Sequence, residues 1–164
     1  MQRDRVELLQ RMPIFGALRE DTLELLLAQA PLVCHRAGEC FFSEHDAATA
    51  MYVLDCGRVE VFKSWQGRDH ALHELGPGDC FGEMALIDLQ PRSASVRALV
   101  DCCAIELATA ELYRLFERDP EQFALMQMNL GRELSRRLRA ADEALFRARI
   151  GAEPAEAVTR GLQP

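Results

Sequence analysis

Apolar positions recur at steps of three and four toward both ends of the chain and at steps of two in its middle, which predicts helices flanking a β-rich segment. Val6, Leu8, Leu9 and Met12 form one stripe; Leu23, Leu25, Leu26 and Leu27 form another, with Pro13 and Gly16 between them. Asp21-Thr22, with Glu24 close behind, reads as the start of the second helix, which ends before Pro31. Residues 1–30 are thus an N-terminal helical segment. From 31 to 108 the pattern turns to short runs of Val, Phe and Leu, punctuated by Gly38, Gly57, Gly67, Gly76, Pro77 and Gly78. That spacing of strands and turns predicts a small antiparallel barrel or roll. Val59, Val61 and Lys63 alternate with Glu60 and Phe62 as in a half-buried strand. Residues 95–99 and 102–107 read as two further strands joined at Asp101.

After Thr109 the helical period returns, with Phe123, Met126, Leu130, Leu134, Leu138, Ala141 and Leu145 on one stripe. Asp119-Pro120 marks its start, because proline is tolerated in the first turn. A helix reaching about residue 150 is longer than one small roll needs. Residues 109–150 are therefore expected to form a hinge and a lid, the near half on the roll and the far half paired with a second copy in a homodimer. Residues 151–164, with their prolines, glycines and alanines, read as a mobile tail.

Composition narrows the function classes. The chain has 164 residues, 49% of them hydrophobic, enough for one domain with a real core but not for two. Its formal charge of -7 repels nucleic acid and anionic membrane, so an anion can be held only by a local pocket. No apolar run approaches the ~18 residues of a membrane span, and residues 1–10 lack a signal-peptide core. Cys34, Cys40, Cys56, Cys80, Cys102 and Cys103 contain no C-x-x-C pair. They are expected to be reduced core filler in a cytoplasmic protein, since neither a disulfide framework nor an iron–sulfur site is spaced this way.

The chemistry concentrates in residues 75–98. Gly82 permits close backbone approach, and Glu83-Met84-Ala85-Leu86-Ile87 can make a short helix whose N-terminal N–H groups favour an anion. Pro91 stiffens the return, and Arg92 follows where the chain re-enters a strand, its guanidinium free to fork onto phosphate oxygens. Ser93 and Ala94 are small enough for a ligand to lie against the backbone, and Glu83 can accept from a sugar hydroxyl. Taken singly, Glu83 is a helix-start carboxylate, Arg92 a surface charge and Ser93 a turn hydroxyl. Their order in one segment favours a site that holds a ribose and a phosphate.

The runs F-G-E-M-A-L-I and P-R-S-A-S-V-R-A closely resemble the phosphate-binding cassette of the cyclic nucleotide-binding domain family, whose members include catabolite activator protein and protein kinase A regulatory subunits. M-Y-V-L-D-C-G-R-V-E-V at 51–61 and L-G-P-G-D at 75–79 extend the resemblance. It implies an α+β, mainly β fold: an antiparallel eight-stranded β-roll of double-stranded β-helix type, flanked by N-terminal helices and a long C-terminal helix. By that likeness Arg92 pairs with the cyclic phosphate of cAMP or cGMP and Glu83 accepts from the ribose 2′-hydroxyl. Gly82, Ala85, Ser93 and Ala94 line phosphate and sugar, within a cassette at 81–94 that opens on Phe81. Val61, Leu72 and Met84 pack on sugar or base, with His73 at the rim. In the family, alanine at the Ser93 position goes with cAMP and threonine with cGMP; serine leaves the choice open, with cAMP favoured. Glu44-His45-Asp46 stands where many members carry Gly before Asp, which implies an altered loop away from the phosphate.

In this family the C-terminal helix closes over the ligand, and Leu134, Arg137 and Leu138 are the candidates to cap the base. Arg137 can stack on a purine, or it can belong with Arg132, Arg136 and Arg139 to a solvated face balanced by Glu133, Asp142 and Glu143. Relatives that regulate transcription carry a helix-turn-helix after this helix; too little chain follows here, so a stand-alone sensor without direct DNA binding or membrane contact is expected. It would act through an unidentified protein effector, without enzymatic activity, cofactor or metal. A ligand-free interaction module is the alternative. A cupin-like metal site at His70, His73 and Glu74 is disfavoured, because strand residues three apart point to opposite faces.

Overall fold

The computed structural model describes residues 2–152. The expected tail beyond 152 and the side chain of Ala85 lie outside the described residues. Helices α1 (Gln2–Gln10) and α2 (Glu20–Leu27) open the chain, separated by a 3-10 turn at Pro13–Phe15. Eight strands follow: β1 (Leu32–His35), β2 (Cys40–Phe42), β3 (Ala50–Cys56), β4 (Val59–Trp65), β5 (Arg68–Leu75), β6 (Cys80–Phe81), β7 (Ser95–Ala98) and β8 (Cys102–Ala108). The short helix α3 (Met84–Asp88) lies between β6 and β7; α4 (Thr109–Arg118) and α5 (Pro120–Ala152) close the chain.

The strands form two antiparallel sheets of four, in the orders β1-β8-β3-β6 and β2-β7-β4-β5. Alternation along the strands splits the core into two. Met51, Val53, Ile105 and Leu107 face outward under the helices, against Leu9, Phe15, Leu23, Leu26, Leu115, Met126 and Leu130. Leu54, Phe81 and Ala104 face inward to meet Val59, Val61, Val96 and Ala98 of the other sheet. Phe62 lies on the outer face, as its alternation with Val61 demands, yet it is buried because the Arg97 guanidinium covers its ring at 4.5 Å. Arg97 is held there by Glu60 at 2.7 Å and Asp69 at 2.9 Å.

The near half of α5 is fixed to the N-terminal helices. Gln122 accepts from the Arg19 backbone N–H at 2.9 Å, Arg19 pairs with Asp119, and Asn129 donates to the carbonyls of Ile14 and Gly16. Beyond Arg137 every described residue of α5 is exposed, including Leu138, Leu145, Phe146 and Ile150.

The cysteines correct the expectation of uniform core filler. Cys80 and Cys102 are buried free thiols, but Cys40 and Cys56 are exposed and Cys34 is bonded to Cys103. The antiparallel register that places Cys34 opposite Cys103 lies outside what their separation of 69 residues could announce.

Candidate functional site

Arg92 enters the roll just before β7 and is 4% exposed. Its backbone is clamped by the preceding loop: the His45 N–H donates to the Arg92 carbonyl at 2.8 Å and the Arg92 N–H donates to the Asp46 carbonyl at 2.9 Å. His45 adopts the left-handed region, with φ 74. The loop of Glu44, His45 and Asp46 therefore holds the backbone of Arg92 from both sides. Nη1 of Arg92 donates to the Gly82 carbonyl at 2.9 Å and Nη2 to the Ala50 carbonyl at 2.7 Å. The Phe42 ring lies 4.0 Å from the guanidinium carbon and Tyr52 5.8 Å from it.

Two features set this guanidinium apart. Among the described residues no carboxylate forms an ion pair with it, and its buried Nε has no hydrogen-bond partner. Burial lowers its pKa, with Tyr52, Asp46 and Glu83 pulling the other way. A buried cation lacking a counter-charge is costly, and an anion brought to it recovers that cost.

Gly82 makes this geometry possible. Its φ is +77, and a Cβ would stand 2.6 Å from Arg92 Nη1 and 3.3 Å from the Phe42 ring. No other residue type fits both constraints. Glu83 follows at the N-cap of α3, 3% exposed. Its Oε1 accepts from Arg137 Nη1 of α5 at 2.7 Å. Arg137 also donates through Nε to Glu133 at 3.1 Å and through Nη2 to the Cys80 carbonyl at 3.3 Å. Burial pushes the Glu83 carboxyl up, and the Arg137 charge draws it only part of the way back. Glu133 is held below the ordinary range by its hydrogen bonds from Arg136 and Arg137. Burial next to Glu83 pushes the Cys80 thiol up to about 12.

The remaining candidates divide by position. Val61, Phe81 and Ala94 are buried in the roll interior, with Phe81 stacked on Tyr52 at 5.3 Å. Ser93 and Met84 are exposed. Leu72 is exposed with the rest of β5 from Arg68 to Glu74, the edge strand of its sheet, and is the extra residue of a bulge there: Val61 pairs with His73, but Phe62 pairs with Ala71. His73 sits on the exposed strand β5, its pKa lowered by partial desolvation and then by the Arg137 charge. Gly82, Glu83, Arg92 and Arg137 thus meet, while Leu72, Met84 and Ser93 stand at the surface. Of the arginines read as one solvated face, Arg137 departs to the site, while Arg136 remains on the surface bound to Glu133 at 2.6 Å. Phe42, Tyr52 and the Ala50 carbonyl were not singled out from the sequence. The aromatic pair at 41–42 was the signal for Phe42, and Tyr52 lay within the run at 51–61 that extends the resemblance.

Chemically, the cluster can hold an anion on Arg92 and a hydroxyl on Glu83, against an aromatic wall. Among the described residues no group of His, Cys, Asp and Glu is placed to hold a metal ion, and no helix is long and apolar enough to cross a membrane.

Comparison with known proteins agrees with this geometry. The model of the cyclic nucleotide-binding domain matches residues 32–119. A cyclic AMP receptor protein of Thermus thermophilus is 34% identical over 131 residues, which are 79% of this chain and 59% of that protein. The crystal structure of the Thermus thermophilus catabolite activator protein superposes with a TM-score of 0.70 at 34% identity, over 81% of this chain and 61% of that one. The regulatory domain of Toxoplasma gondii protein kinase A, solved with cAMP, gives a TM-score of 0.65 at 26% identity, over 69% of this chain and 43% of that one. The chain spans about three fifths of the length of the first curated relatives it matches. With the roll, the cassette and the family model in agreement, the chain belongs to the cyclic nucleotide-binding domain family.

Proposed function

We propose that this chain is a non-enzymatic sensor that binds a cyclic nucleotide inside the roll, cAMP in preference to cGMP, and reports occupancy through α5. The observation that carries the reading is the Arg92 guanidinium: buried, with no carboxylate paired to it among the described residues and with an unpartnered Nε. A cyclic phosphate supplies the missing charge and acceptor. Glu83 is, among the described residues, the one buried carboxylate of the same cassette, and it suits a ribose 2′-hydroxyl. The preference for cAMP rests on the Thermus relative, a cyclic AMP receptor protein, because Ser93 does not decide between the bases.

Arg137 is the physical link from site to helix. It joins Glu83 to Glu133 of α5, so a hydroxyl arriving at Glu83 meets the contact that holds α5 down. Rearrangement of that contact would shift α5, whose exposed Leu138, Leu145, Phe146 and Ile150 would meet a second copy and, through it, a protein effector. Titration calorimetry with cAMP, cGMP and a cyclic dinucleotide tests the ligand class: saturable binding of a cyclic mononucleotide is expected, strongest for cAMP. Absence of binding by all three would leave a roll that serves only as an interaction module.

A further inference from the structure

Four of the cysteines gather at one end of the β1-β8-β3 portion of the sheet. Cys34 of β1 is the register partner of Cys103 of β8, and Cys103 is in turn the register partner of Cys56 of β3. The three form one row across adjacent strands, with Cys103 in the middle. Cys34 and Cys103 are joined in a disulfide, and Cys56 is an exposed free thiol.

Cys56 owes its place to a register shift. Leu54 pairs with Ala104, so an unbroken ladder would set Asp55 opposite Cys103 and Cys56 opposite Cys102. The shift after Leu54 passes over Asp55 and aligns Cys56 with Cys103 instead. Directly opposed residues of antiparallel strands carry Cβ atoms roughly 4.5–5.5 Å apart, close to disulfide span. Cys103 therefore has one bonded neighbour and one thiol neighbour on its opposite sides. Cys102 is turned the other way, buried with the inward-facing cluster, and its thiol is raised first by that burial and then by the neighbouring Cys56. No metal-holding group is found there among the described residues.

We propose that Cys34, Cys103 and Cys56 form a thiol–disulfide exchange site in which Cys103 passes its disulfide from Cys34 to Cys56. Cys56 gives its proton to water, and the thiolate attacks the Cys103 sulfur from the side away from Cys34. The Cys56–Cys103 bond forms as the Cys103–Cys34 bond breaks; Cys34 leaves as a thiolate and takes up a proton. The exchange involves no net oxidation. Its first disulfide forms from two thiols at the expense of a low-molecular-weight disulfide, which accepts two electrons and two protons and leaves as two thiols. Cys34 and Cys56 flank Cys103 from its two neighbouring strands, the arrangement from which such an attack can run in line. In one state the bond ties the edge strand β1 to β8; in the other it ties β3 to β8 and leaves β1 without a covalent cross-link to its neighbour.

The full chain, oxidised with glutathione disulfide, alkylated under acid quench and digested without reductant, reads the site by mass spectrometry. The unmutated chain is expected to yield both the 34–103 and the 56–103 cross-linked peptides. Cys56→Ser should lose the second entirely, and Cys34→Ser should yield the second alone. An unmutated chain that gives only the 34–103 peptide, with Cys56 fully alkylated, overturns the proposal whether or not the variants fold. So does a folded Cys34→Ser chain in which Cys56 carries only glutathione. Neither readout depends on nucleotide binding.

Discussion

Two buried charges of opposite sign, Glu83 and Arg92, lie nine positions apart in sequence, and the structure treats them differently. Glu83 is held by Arg137, a residue reaching down from α5. Arg92 donates only to carbonyls and lies against aromatic rings; among the described residues no carboxylate is paired with it, and its Nε has no hydrogen-bond partner. A protein interior tolerates a paired charge for structural reasons; an unpaired one at this depth is retained where something outside the chain completes it. In the proposed function the Arg92 end of the site is the receptor, and the Glu83 end, held by Arg137, is its connection to the helix.

The comparison can be broken most severely at Gly82, which serves the Arg92 end. Gly82→Ala places a Cβ against Nη1 and forces a left-handed alanine. Cyclic nucleotide affinity should fall roughly 30- to 1000-fold, the ~2–4 kcal/mol expected for losing a buried charge contact. Calorimetry showing wild-type affinity would mean that Arg92 need not sit where it does.

At the other end Glu83→Gln should act more mildly on binding, about tenfold, as one charge-assisted hydrogen bond becomes a neutral one. It should act on stability with a definite sign. The folded carboxyl is raised above its unfolded value, so the folded chain binds the extra proton and stability falls as pH rises from the ordinary carboxylate range through the raised value. Urea midpoints measured across that window should slope downward in the parent chain and flatten in Glu83→Gln. Parallel slopes would show that Arg137 compensates the burial fully.

The smallest effect is expected from Arg137→Gln, which separates the two ends. Binding should change by less than tenfold, because Arg137 is only partly buried and Glu83 remains. Hydrogen exchange in residues 133–140 should instead become faster in the ligand-free chain. Unchanged protection would show that the near-half contacts of Gln122 and Asn129 hold α5 without help from the site.

The sequence made the cassette legible because its chemistry is local: glycine, carboxylate, proline and arginine within one strand–helix–strand passage specify one another's positions. The helix–roll–helix order was legible from periodicity for the same reason. What escaped depends on register and on helix rotation. Arg137 and Arg136 are neighbours on one charged face, and only the packing of α5 decides that the first turns to Glu83, 54 positions away, while the second stays in solvent. Leu72 is exposed with all of β5 up to Glu74, because that strand is the edge of its sheet, a place that alternation cannot reveal. The cysteines looked scattered until register aligned Cys34, Cys103 and Cys56 in a single row.

The central claim, that Arg92 is a cation waiting for a phosphate, is tested most directly by calorimetric titration of the parent chain and Arg92→Gln with cAMP, alongside their ligand-free thermal midpoints. Affinity should fall roughly 30- to 1000-fold, with a far smaller change in the ligand-free midpoint. An Arg92→Gln chain that stays folded and binds cAMP as tightly as the parent would contradict it.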